Sequence, residues 1–189
     1  MKIIAWMFDI DGVITNPETK KVERPEIIDF IIGRLSLDEP VALITGRALP
    51  WVMQNVIPVV MQSTIDNPAL LDNFFVSAEF GGATATWKNG LKKTAVNNTL
   101  RLPRALVAEI KLAGENFPKH FMEPDRESMV TFQKIDEIPT DEFKKVQSEL
   151  ANLFHAIVDS HGLYSSYSNL QLFRRKLSSE ESIPDYINM

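Results

Sequence analysis

The strongest constraint on this chain is local. An apolar run, Ile3-Ile4-Ala5-Trp6-Met7-Phe8, stops at Asp9-Ile10-Asp11-Gly12. A short apolar run bounded by a turn signal reads as a buried strand. Side chains two residues apart on a strand share a face. If that geometry holds through the turn, both carboxylates point into one space. Paired carboxylates repel, so such a site calls for a divalent cation or a shared proton. An Asp-Gly pair at a strand end is also a common turn signal, so this segment alone leaves both readings open.

A second apolar run, Val41-Ala42-Leu43-Ile44, ends in Thr45-Gly46-Arg47. A hydroxyl, exposed backbone amides and a guanidinium at a strand-to-helix turn suit a phosphate group. A third strand-like run, Phe74-Phe75-Val76, leads into Ser77-Ala78-Glu79-Phe80-Gly81-Gly82. Together these segments resemble the first two motifs of the haloacid dehalogenase (HAD) phosphohydrolases. The third segment is similar to the Glu-Asn-Gly-Gly stretch of the HAD branch with a large α/β cap, which includes sugar-phosphate phosphatases and phosphomannomutases. Phe80 stands where that branch has Asn.

The chain has 189 residues, 44% of them hydrophobic, which fits one large domain or two small ones. Its net charge of −5, without a clustered basic stripe, argues against nucleic-acid binding. With no cysteine, disulfides and thiolate zinc sites are excluded. The first apolar run is too short for a signal-peptide core, and no later run approaches a membrane span. A soluble cytoplasmic protein without a membrane partner is expected.

Strands at 3–9, 41–45 and 74–77 alternate with helices, one started by Arg24-Pro25-Glu26 and one over Leu49–Met61 that Pro58 ends or kinks. That alternation predicts an α/β fold with a parallel sheet, its sites at the carboxyl ends of the strands. After Gly82 the pattern changes. Lys88-Asn89-Gly90 marks a hairpin, and helices are expected over Pro103–Asn116 and from Thr140. Further strands are expected at His120–Met122, Ser128–Phe132, Ala156–Val158 and Leu170–Phe173. The division expected is a partial HAD-like core over 1–82, rejoined by about 171–189, and an α+β cap over 83–170. Hinges are expected near Gly81-Gly82 and Arg174, and the tail Ser178–Met189 is expected to fray. The spacing of His120, His155 and His161 is not that of metal ligands, and Trp51 and Trp87 are expected in packing roles.

The resemblance implies chemistry at named positions. Asp9 would be the nucleophile that accepts the phosphoryl group, and Asp11 the acid and base for leaving alcohol and attacking water. Mg²⁺ would bridge the Asp9 carboxylate, the Asp11 carbonyl and the phosphate. Thr45, the Gly46 amide and Arg47 would hold phosphate oxygens, with Lys176 near the place of the third-motif lysine. The implied activity is hydrolysis of a small phosphorylated metabolite, such as a sugar or polyol phosphate. A phosphomutase or a non-catalytic phospho-ligand or partner-binding protein are the alternatives. The acidic Gly-Asp-x-x-x-Asp loop that completes the HAD site is absent from the sequence. Truncation, loss of part of the site, and completion by another chain are the explanations, the first being preferred.

Overall fold

In the computed structural model, residues 5–117, 120–122, 126–134, 138–163 and 186–188 are described. The chain divides into two compact units, Met1–Arg101 with Asp125–Ser128, and Leu102–Pro124 with Met129–Met189.

The first unit is built on a five-stranded sheet in the order β1-β2-β3-β4-β5. Strands β1 (Trp6–Asp9), β2 (Val41–Ile44) and β3 (Phe74–Ala78) run parallel, with Asp9 level with Ile44 and Ile44 level with Ser77. Strands β4 (Ala83–Lys88) and β5 (Leu91–Val96) form an antiparallel hairpin that pairs onto β3. Its turn has Asn89 at φ 51° and Gly90 at φ 76°, the pair of left-handed positions an Asn-Gly turn supplies.

Helix α1 (Pro25–Ser36) opens with Pro25, which has no amide hydrogen to leave unsatisfied there, and buries Ile28, Ile31 and Leu35 at helical spacing. The next segment breaks as Pro58 dictates, into α2 (Leu49–Asn55) and α3 (Ile57–Ser63) joined at Val56. These helices and the 3₁₀ turn Pro68–Asn73 share one core with Val41, Leu43, Phe74, Val76, Ala85 and Trp87. All six strand residues lie on one sheet face. The opposite face carries Met7, Ala42, Ile44, Phe75, Thr84 and Thr86, and Met7 is 70% exposed. The strand order explains this. Two successive crossovers of one hand, stepping in one direction from β1 to β3, put every helix on the same side.

The second unit holds α4 (Arg104–Gly114), β6 (His120–Met122), β7 (Thr131–Lys134), α5 (Thr140–Ser160) and β8 (Tyr186–Asn188). The three strands form an antiparallel sheet in chain order. Leu106 and Ile110 of α4 and Leu150, Phe154 and Ile157 of α5 pack with Val130 and Phe132, whose ring lies 4.8 Å from that of Phe154.

Several expectations need correction. β1 is an edge strand whose residues are half-buried or exposed, not a buried one. The hairpin expected to open the second unit belongs to the first sheet, so the division falls after Arg101 rather than after Gly82. Apolar residues 156–158 continue α5, because the helical stripe of Phe143, Leu150, Phe154 and Ile157 runs through them. In the tail, residues 186–188 pair with β7 instead of rejoining the first sheet. The expected strand at Leu170–Phe173, the hinge at Arg174 and Lys176 lie outside the described residues.

Candidate active site

Three parallel strands end side by side, so the turns that follow them gather at one edge of the sheet. Asp9 is the last residue of β1, and its exposed carboxylate is steadied by the Ile10 amide, which donates to Oδ1 at 2.7 Å. Ile10 is fully buried and acts as the anchor of the turn: its carbonyl accepts from the Ile14 and Thr15 amides and from the Thr15 hydroxyl. Gly12 sits at φ 77°, where a side chain would strain the turn.

Asp11, two residues on, is held by Arg47 from the next strand end. Nε donates to Oδ1 at 3.3 Å and to Oδ2 at 3.1 Å, and Nη2 donates to Oδ1 at 2.8 Å. The fork geometry of a guanidinium matches both carboxylate oxygens. The Arg47 guanidinium also lies 4.8 Å from the ring centre of Trp51, in the first turn of α2. Lys20 Nζ stands 3.9 Å from Asp11 Oδ1.

Thr45 follows β2 directly and is buried. Its amide donates to Ser77 O, and its hydroxyl oxygen accepts from the Arg47 amide at 3.1 Å. The hydroxyl proton is thereby left to donate elsewhere. The ring of Phe80 lies over Gly46, where a Cβ would come within 2.6 Å of its Cζ. A side chain at position 46 would push the exposed Phe80 ring aside.

The turn after β3 is under backbone strain. Glu79 and Phe80 both have φ near 53°, costing on the order of 1–3 kcal/mol each for side chains of this kind. The compensation is visible. The Glu79 carboxylate, 3% exposed, accepts from the Glu127 amide, the Ser128 amide and the Ser128 hydroxyl, the last two at 2.8 Å. Hydrogen bonds to a charged group are worth about 1.5–3 kcal/mol apiece. Gly82 lies directly beneath Ser128, with 1.8 Å between an added Cβ and Ser128 Oγ. From the same 126–128 segment, Arg126 Nη1 donates to Gly46 O at 2.6 Å.

The structure therefore sets Asp9, Asp11, Thr45, Gly46 and Arg47 along one strand-end edge, while Lys176 lies outside the described residues. Trp51 packs against the core, as expected, and also stacks on the site's guanidinium. Lys20 and Arg126 were not singled out beforehand. No spacing rule ties Arg126 to Gly46 across 80 residues of sequence, whereas the Glu79 turn was visible in Glu79-Phe80-Gly81-Gly82. Among the described residues no group of three His, Cys, Asp or Glu side chains gathers to hold a metal ion. Asp9 and the Asp11 carbonyl are oxygen donors of the kind Mg²⁺ accepts, but they are two of six positions.

A parallel strand set carries Asp9 at the end of its first strand, Asp11 two residues on and Thr45-Gly46-Arg47 after the second. Solved structures agree with that fold. An N-terminally truncated, IMP-bound IMP-nucleotidase of Plasmodium falciparum superposes with a TM-score of 0.55 at 10% identity, over 87% of this chain and 48% of that one. The C-terminal domain of the trehalose-6-phosphate phosphatase of C. albicans superposes with a TM-score of 0.55 at 17% identity, over 83% of this chain and 51% of that one. The chain shares the α/β fold of both in partial form. It spans about half the length of the structures it matches. No family model and no curated protein sequence matches the chain.

Proposed function

We propose that the chain is the phosphate-handling part of a HAD-type phosphomonoester hydrolase acting on a small phosphorylated metabolite. The observation that carries this is the register of β1 and β2. It puts Asp9 level with Ile44, one residue before Thr45 and two before Gly46. A nucleophile and an anion cradle on adjacent strand ends are what transfer of a phosphoryl group needs. A sugar or polyol phosphate is the preferred substrate class, and the trehalose-6-phosphate phosphatase likeness supports it. The IMP-nucleotidase likeness extends the class to nucleoside monophosphates.

In this reading an Asp9 oxygen attacks phosphorus, the phosphorus–alkoxide bond breaks, and Asp11 gives the alkoxide its proton. Water then attacks the aspartyl phosphate, Asp11 takes the water's proton, and the Asp9–phosphorus link breaks to release phosphate. Asp11 can do this only after Arg47 lets go of it. The incoming dianion competes for the guanidinium, and the released Asp11 carboxylate takes up a proton from solvent, which it then gives to the alkoxide. The Asp9 carboxylate and the Asp11 carbonyl would hold Mg²⁺, which would offset the negative charge of the phosphate. A phosphatase panel of sugar phosphates, polyol phosphates and nucleotides, with and without Mg²⁺, tests the reading. Hydrolysis that persists in Asp9→Asn would overturn it.

The clamp of Arg47 on Asp11 favours one second reading, a chain that binds phosphorylated ligands without turning them over. Phosphate binding by a chain inactive on every panel member would decide for it.

A further inference from the structure

We propose that Glu79 and Arg126 are positioning residues that orient the Thr45-Gly46-Arg47 turn so that the Gly46 amide and the Thr45 hydroxyl, not the turn's carbonyls, face an anion. This deepens the phosphomonoesterase reading and rests on it. All three carbonyls of the turn are tied down from outside it. Thr45 O accepts from the Phe80 amide at 3.2 Å, Arg47 O accepts from the Glu79 amide at 3.0 Å, and Gly46 O accepts from Arg126 Nη1 at 2.6 Å. The described peptide bonds are all trans. In a trans peptide the N–H points opposite to its C=O. Fixing the Thr45 and Arg47 carbonyls therefore aims the Gly46 and Ala48 amides to the other side. Fixing Gly46 O turns the Arg47 amide onto the Thr45 hydroxyl oxygen at 3.1 Å, which leaves the hydroxyl proton beside the Gly46 and Ala48 amides to make an anion-binding concavity. An untethered turn of glycine and small residues would sample both orientations, presenting carbonyl oxygens that repel a phosphate.

Glu79 serves twice in this arrangement. Its amide holds Arg47 O directly. Its carboxylate, shut away from water, grips the backbone of Glu127 and Ser128, which fixes the neighbouring Arg126 against Gly46. Arg101 adds a contact at 3.4 Å to the Glu127 carboxylate. Gly82 makes room for Ser128 to seat, since any side chain there would displace its hydroxyl. None of these residues need touch the reacting atoms.

The test is inorganic phosphate titrated into the 189-residue chain with backbone amide NMR as readout, beside thermal melting. In the native chain the Gly46 and Ala48 amides shift saturably. Arg126→Ala weakens that binding about tenfold, as loss of one charge-assisted hydrogen bond predicts, with the melting temperature nearly unchanged. Arg126→Lys, which keeps a single donor, falls between. Glu79→Gln moves the Glu127 and Ser128 amides and weakens phosphate binding in parallel. If Glu79→Gln fails to fold, the Arg126 pair still decides. Phosphate binding that survives Arg126→Ala at native strength overturns the positioning role. A native chain whose Gly46 amide never responds to phosphate overturns instead the phosphomonoesterase reading beneath it.

Discussion

Asp9 and Asp11 are two residues apart and differ sharply in surroundings. The first is exposed with one backbone contact, and the second is clasped by Arg47. Asp9→Asn should therefore abolish hydrolysis in any assay where the native protein is active, because the amide is a poor nucleophile. Asp11→Asn should lower kcat by about 10²–10⁴-fold, the usual contribution of an acid-base group. Single-turnover and steady-state assays on the same substrate would separate the two steps. Gly82→Ala tests the clasp around Ser128. Overpacking of this kind costs about 1–3 kcal/mol, read as a fall in the denaturation midpoint, and an unchanged midpoint would mean that Ser128 moves freely aside. The catalytic candidates were legible in the sequence because each stands at a fixed offset from the end of an apolar run. The tethers were not. Arg126 meets Gly46 only through the folded path of the chain, and the buried carboxylate of Glu79 looks, in sequence, like any glutamate before two glycines.

Secondary-structure elements were legible where one local signal dominated. The Pro25 start of α1, the Pro58 break between α2 and α3, and the Asn89-Gly90 turn all sit where local chemistry dictates. Errors came where a local pattern had two meanings. The apolar triplet at 156–158 suits a strand, yet it completes the buried stripe of a 21-residue helix. The β4–β5 hairpin could have opened a new sheet, and its pairing with β3 is a tertiary choice that alternation cannot show. Burial of Ala83, Ala85 and Trp87 on the helix-covered face explains the choice. At the hairpin turn, Asp72 accepts from Lys88 Nζ at 2.7 Å and from the Asn89 amide at 2.6 Å. These bonds, the Lys88 contact first, lower its pKa below the ordinary value. The carboxylate is ionised and its contribution complete above the unfolded aspartate pKa of about 3.9. It is lost as pH falls through the lower folded value. The Asn89 amide resonance should titrate with that depressed midpoint, and Asp72→Asn should abolish the step. A midpoint at the ordinary value would show that the clasp does not persist in solution. In the second unit, Phe154→Ala should cost about 3–5 kcal/mol, since the ring is fully buried against Phe132. Loss of far-UV helix signal at lower denaturant would register it.

On the scale of the whole molecule, the governing fact is that, within the described residues of the first unit, the helices all pack on one face of the sheet. Parallel sheets are ordinarily buried on both, and among the described residues no strand pairs with the outer side of β1. Substitutions should therefore behave asymmetrically across the sheet. Met7→Lys, on the open face, should change stability by no more than about 0.5 kcal/mol. Leu43→Ala, fully buried beneath the helices, should cost about 2–5 kcal/mol. The same one-sidedness bears on metal affinity. Mg²⁺ holds its water tightly and is retained by several oxygens in octahedral array. The described residues offer it the Asp9 carboxylate and the Asp11 carbonyl, while the Asp11 carboxylate is spent on Arg47. We expect the 189-residue chain to bind Mg²⁺ only weakly in calorimetry and to turn over a generic aryl phosphate slowly. Releasing the clamp should shift this balance. Arg47→Ala frees the Asp11 carboxylate and should tighten Mg²⁺ binding, while weakening phosphate binding that depends on the guanidinium. Opposite movements of the two affinities in one variant would be hard to produce by general loosening, which would weaken both. Tight Mg²⁺ binding and brisk Mg²⁺-dependent turnover by the native chain would mean that further oxygen ligands, from residues outside the described set or from a second subunit, complete the site.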